Sequence, residues 1–197
     1  MWSKGIRKSP LEGMVNYLQF LIVLFAFIGC SLAATGEPDR IKVFPRDADP
    51  KVRAFIEREF LRIIAITDSP EWRPAVTLEH IGRSWVGATY GVWDIRIEPN
   101  LVERGMTNEA GLWALRRTIA HEIGHAMSGH RFTTTARQQA KELEADAKGI
   151  EYFKRPGWSC QLWVDAFARG LERGYNIDAE HDSKARYDQA QRLCPKD

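Results

Sequence analysis

"TIAHEIGHAMSGH", residues 118–130, sets His121 and His125 four positions apart with Glu122 beside the first. Three of the chain's five histidines fall in this one stretch. Leu112, Leu115, Ile119, Ile123 and Met127 recur at helical spacing, which predicts an amphipathic helix beginning near Thr107 or Asn108. Nothing in that apolar stripe requires a histidine. Helical residues four apart project from the same face, one turn above the other. His121 and His125 can therefore offer ring nitrogens to a single ion. Glu122 sits about 100° further round the helix and can reach a water on that ion without ligating it. The pattern is His-Glu-x-x-His: two zinc ligands and a general base for metal-assisted hydrolysis. The plainer alternative is an amphipathic helix with solvent-facing histidines.

Two histidines do not complete a site, since a catalytic zinc takes three protein ligands and keeps one position for water. The candidates are His130, His181, His80 and the carboxylates. The best lie in "KELEADAKG", residues 141–149, on a helix expected over about 135–154 with Leu143, Ala147 and Ile150 inward. Glu142 and Asp146 share a face there. Glu142 is a candidate third ligand, and Asp146 can accept a hydrogen bond from the far nitrogen of a ligating histidine and fix its tautomer. Glu144 points about 200° away from Glu142 and is expected in solvent. A wet surface position is the alternative for any of these acids.

The flanking sequence supplies the rest of the domain. Asp49-Pro50 reads as an N-cap followed by a first-turn proline, and Val52, Phe55, Ile56, Phe60, Ile63 and Ile64 continue a helix to about Thr67. "AVTLEHI" (75–81), "SWVGATY" (84–90) and "VWDIRIEP" (92–99) are extended, the last alternating Trp93, Ile95 and Ile97 with polar residues. Short helices follow near 159–172 and 181–193. A helix, a small antiparallel sheet and then helices make an α+β domain.

The 197 residues suit one domain, 35–197, behind a targeting segment, 1–34. Lys4, Arg7 and Lys8 precede "YLQFLIVLFAFIGCSLAA", Tyr17–Ala34, which carries no charge, and small residues follow at Ser31, Ala33 and Ala34. That is the pattern of an export signal cleaved to leave a periplasmic or secreted protein. An uncleaved anchor, or lipidation at Cys30, are the alternatives. Only three of 28 basic and one of 26 acidic residues lie in that segment, so the remainder is neutral. A neutral domain offers no electrostatic case for nucleic acid. Cys160 and Cys194 remain as an even pair, read as a disulfide closing about 35 residues and stabilising by about 3–4 kcal/mol. Two buried thiols are the alternative.

With these residues in place, the chain resembles the HtpX-like and CAAX-prenyl-protease-like zinc metallopeptidases, a gluzincin family. "AHEIGHAMSGH" (120–130) is similar to the family's active helix, later histidine included, and "ELEADAKGIEYFKRPGW" (142–158) to its ExxAD helix. The resemblance spans about 90–193. It implies a zincin-like fold, one Zn²⁺ on His121, His125 and Glu142, Asp146 behind a ligand, and His130 outside the ligand set. "RIEPNLVERG" (96–105) resembles the family's edge strand and the segment before the active helix, which implies that 93–98 pairs with an extended peptide substrate. A plain core strand is the alternative reading there. The family's His-Pro pair and following Arg correspond to "HDSKARYDQ" (181–189), with Asp182 in place of proline and Arg186 one residue early. His181 and Arg186 are thereby candidates to polarise the substrate carbonyl.

The function implied is zinc-dependent endoproteolysis with Glu122 as base. The contrasting reading is a zincin-like domain that binds protein clients without cutting them. A third is another short group with the same ligands and a different substrate.

Overall fold

The computed structural model describes residues 40–81, 87–130, 135–172 and 182–195. The apolar run before Ala34 and His181 both lie outside the described residues. Among the described residues are six helices and one four-stranded sheet, an α+β arrangement.

Strand β1 (Lys42–Phe44) leads into helix α1 (Pro50–Ile64), whose first turn is capped by the Asp49 carboxylate accepting from the Lys51 amide. Strands β2 (Ala75–Leu78), β3 (Gly87–Thr89) and β4 (Asp94–Ile97) follow. The sheet order is β1-β2-β4-β3, with β1, β2 and β4 parallel and β3 antiparallel to β4. The sheet is thus mixed rather than antiparallel. The parallel pairs have two sources: β1, three residues long and below any readable period, enters through the α1 crossover, and β4 lies parallel beside β2 because β3 is placed beyond it, so that only the β3–β4 pair is antiparallel. The chain then builds β3 at the far edge and turns back at Tyr90–Trp93 to lay β4 between β3 and β2.

That topology also corrects the reading of 93–98 as a substrate-pairing edge. Backbone groups of β4 are taken by neighbours on both sides, β2 and β3. The edge beside it is β3. Ile95 and Ile97 point into the core and are fully buried, whereas Trp93 precedes the strand, packs on Trp72 and is 61% exposed.

The segment after β4 forms a full helix, α2 (Pro99–Thr107), started by Pro99 and burying Leu101, Val102 and Gly105. Helix α3 (Glu109–Met127) carries the two histidines and begins where the sequence placed it, near Asn108, whose side chain accepts from the Gly111 amide. Helices α4 (Thr135–Lys154), α5 (Gln161–Glu172) and α6 (Ser183–Leu193) complete the domain. The core gathers Phe60, Ile63 and Ile64 of α1, Leu115, Ile119 and Ile123 of α3, Tyr152 and Phe153 of α4, and Trp163 of α5, all fully buried. Each contributes about 1.5–3 kcal/mol by leaving water.

Two polar features pin the layers. Arg116 of α3 donates to Glu59 of α1 at 2.8 Å, with its guanidinium over the Trp113 and Trp158 rings. Cys160 and Cys194 meet with 5.7 Å between Cα atoms, a disulfide-compatible pair joining the start of α5 to the end of α6. No helix among the described residues is long and apolar enough to cross a membrane.

Candidate metal centre

The two central helices, α3 and α4, meet at Gly124. A Cβ there would stand 2.5 Å from the Ala145 carbonyl oxygen, so only glycine lets the backbones come this close. Gly124 lies between His121 and His125, and Ala145 between Glu142 and Asp146. The close approach therefore puts the two histidines of one helix directly opposite the two carboxylates of the other.

Three donor atoms converge. His125 Nε2 lies 3.0 Å from His121 Nε2. Glu142 sends Oε2 to within 3.2 Å of His121 Nε2 and Oε1 to within 3.2 Å of His125 Nε2. All three side chains are buried. Metal–ligand bonds of about 2.0–2.1 Å in a tetrahedron place ligand atoms about 3.3 Å apart, so the donor set and its spacing fit a divalent ion. His121, His125 and Glu142 are the one such group among the described residues.

Asp146, wholly buried, accepts from His121 Nδ1 at 2.9 Å, which aims His121 Nε2 at the convergence point. Behind it stands Arg186 of α6. Its Nε and Nη2 donate to the two Asp146 oxygens at 2.6 and 2.8 Å, and its Nη1 lies 3.3 Å from Glu142 Oε2. Sequence singled out Arg186 as a carbonyl polariser. Its place in the fold is as a buttress of Asp146 and Glu142, packed on the Phe167 ring. His80, another of the sequence candidates, is away from this cluster and pairs with Glu98 at 2.6 Å.

Glu122, next to His121 on the helix, is buried too. Strand β3 holds it: Thr89 Oγ1 lies 2.7 Å from Glu122 Oε2 and 3.0 Å from the Glu122 backbone oxygen. A Cβ on Gly87 would meet Glu122 Oε1 at 2.7 Å, so β3 can lie against this carboxylate only through a glycine. Thr89 and Gly87 escaped the sequence reading, because a threonine and a glycine in a short strand carry no mark of a distant partner.

His130, a sequence candidate that the resemblance put outside the ligand set, lies against the cluster. Helix α3 ends with Gly129 at φ +64°, where the Gly129 amide donates to Ala126 O and the His130 amide to His125 O. This is a Schellman reversal. It folds His130 back until its Nδ1 is 2.8 Å from His125 Nδ1. His130 Nε2 meets Glu144 Oε2 at 3.1 Å. Glu144, expected in solvent, is indeed 58% exposed at its side chain but spends one oxygen on this contact.

The charges follow from these contacts. Burial disfavours the charged form of His121, yet the Asp146 carboxylate and the hydrogen bonds to Asp146 and Glu142 win and raise its pKa to about 9. Burial likewise pushes Asp146 up, but the Arg186 and His121 charges hold it at about 2. Glu142 is held well below the carboxylate range by its histidine partners, against its own desolvation. Burial lowers His130, with Glu144 pulling the other way.

The metal-free site thus carries a proton where an ion would bind. Because the folded pKa of His121 exceeds the ordinary value of about 6.5, its stabilisation is present below that pH and is lost as pH rises through about 9. An incoming cation must displace that proton, so metal affinity is expected to climb up to about tenfold per pH unit across the same window. Chelator-competition titrations near pH 7, 8 and 9 measure this, and an affinity flat across the window would contradict it.

Comparison with known proteins finds no matching family model, no matching curated protein and no matching solved structure.

Proposed function

We propose that the chain is a zinc-dependent endopeptidase of the HtpX-like kind, exported from the cytoplasm. The observation that supports it most is a buried His-His-Glu donor set with a separate buried carboxylate, Glu122, held beside it on the same helix. A purely structural ion has no use for that second carboxylate, and structural zinc sites are typically closed by four ligands rich in cysteine.

His121, His125 and Glu142 would hold the ion. When bound, zinc supplies Lewis acidity that lowers the pKa of water and polarises a carbonyl oxygen. Glu122 takes one proton from the attacking water as it adds to the peptide carbonyl carbon. Thr89 donates to the Glu122 carboxylate and keeps it aimed. Glu122 then returns the proton to the departing amine nitrogen as the C–N bond breaks, so the carboxylate ends as it began. Asp146 keeps His121 oriented through Nδ1, and Arg186 balances the two carboxylates that face it. The disulfide-compatible cysteines suit an oxidising compartment.

Metal content by plasma mass spectrometry tests this reading. Wild type is expected to carry about one zinc per chain, and Glu142→Ala to lose most of it. A wild-type protein that takes up no zinc after reconstitution removes the peptidase and leaves the client-binding domain in its place.

A further inference from the structure

We infer that Glu144, acting through His130, holds a proton on His125 Nδ1 and so reserves Nε2 for the metal centre. This rests on the reading of His125 as a ligand, and it makes His130 and Glu144 positioning residues of that site.

The argument runs inward from the surface. A carboxylate has only acceptors, so the 3.1 Å contact between Glu144 Oε2 and His130 Nε2 requires the proton on His130 Nε2. A neutral imidazole with its proton on Nε2 has a lone pair on Nδ1. The facing atom, 2.8 Å away, is His125 Nδ1, and two nitrogens so close share one proton between them. With His130 Nδ1 as acceptor, that proton belongs to His125 Nδ1. His125 Nε2 is then the nitrogen that can yield its proton to an incoming cation, and it is this atom that faces His121 Nε2 and Glu142 Oε1. Reversing any member reverses the chain: a proton on His130 Nδ1 would force His125 to carry its own on Nε2 and close the site to a cation.

The fold builds the relay deliberately at both ends. The Gly129 reversal brings His130 under His125, where it is 9% exposed. Helix α4 brings Glu144 to it from the opposite side. His121 has Asp146 as a direct carboxylate partner, whereas no carboxylate contacts His125 Nδ1 among the described residues. The His130–Glu144 pair supplies the equivalent at one remove, with its carboxylate half in solvent.

Nitrogen-15 spectra of the histidine rings in the metal-free, full-length protein test the tautomers without relying on the metal. The protons are expected on His125 Nδ1 and His130 Nε2, and a proton found on His130 Nδ1 overturns the relay. Zinc affinity by chelator competition then tests its consequence. His130→Phe, which keeps the ring shape and loses the acceptor, is expected to weaken zinc by about 10–100-fold. His130→Asn, which places an oxygen acceptor where Nδ1 stood, is expected to stay within about threefold of wild type, a rescue that mere packing would not give. Equal affinity in the phenylalanine and wild-type proteins overturns the inference. If wild type binds no zinc, the metal reading fails, and the nitrogen-15 assignment still decides the relay.

Discussion

Glu122→Gln is expected to keep its zinc and lose hydrolysis of an unfolded protein substrate by about 10²–10⁴-fold, the range that a positioned general base contributes. The substitution is nearly isosteric. Its amide oxygen can still accept from Thr89 Oγ1, which now lies 2.7 Å from the carboxylate, so the side chain has reason to stay in place. What it loses is the ability to take a proton. Metal content measured beside turnover separates the two roles, because Glu122 is outside the donor set of His121, His125 and Glu142. Wild-type hydrolysis by Glu122→Gln would sink the mechanism. Loss of zinc from the variant would instead make Glu122 a ligand.

Arg186→Met should have the largest effect on stability. The guanidinium donates to both oxygens of Asp146, which is wholly buried, and also faces Glu142. Methionine can fill the space against Phe167 but takes away the guanidinium that contacts both buried carboxylates. Breaking a buried pair from one side costs about 3–5 kcal/mol, a large part of the 5–15 kcal/mol typical of a domain. Arg186→Lys should recover only part, since an ammonium cannot reproduce the two-pronged contact. The sign with pH follows from Asp146. Its pKa in the fold, about 2, is below the ordinary 3.8, so its contribution is present above pH 4 and lost as pH falls toward 2. In Arg186→Met that acid limb should begin at higher pH. Urea denaturation of the metal-free proteins at neutral and acid pH measures both. A loss under about 1 kcal/mol would mean that Arg186 is dispensable to the buried network.

The chain's own pattern determined the helices and the chemistry of the ligands. Apolar residues at helical spacing placed α1, α3 and α4, because a period set by backbone geometry survives in any tertiary context. The four-residue spacings His121–His125 and Glu142–Asp146 placed each pair on one face for the same reason. The start of α3 near Asn108 was equally local.

What tertiary structure alone decided was which faces meet and in what order strands pair. A three-residue strand such as β1 is too short to show a period, and neither its parallel entry nor the parallel pairing of β2 with β4 is written in the pattern of any one strand. Strand β4 was legible as a strand, but alternation could not reveal whether it was an edge strand or an inner one between β2 and β3. Both are half-buried in either position. Thr89 on Glu122, Arg186 on Asp146 and Glu144 on His130 are contacts across 14 to 40 residues of chain. No propensity encodes such distances. The facing of the histidines by the carboxylates has its own tertiary cause, Gly124, whose missing side chain lets the α3 backbone come up against Ala145 of α4.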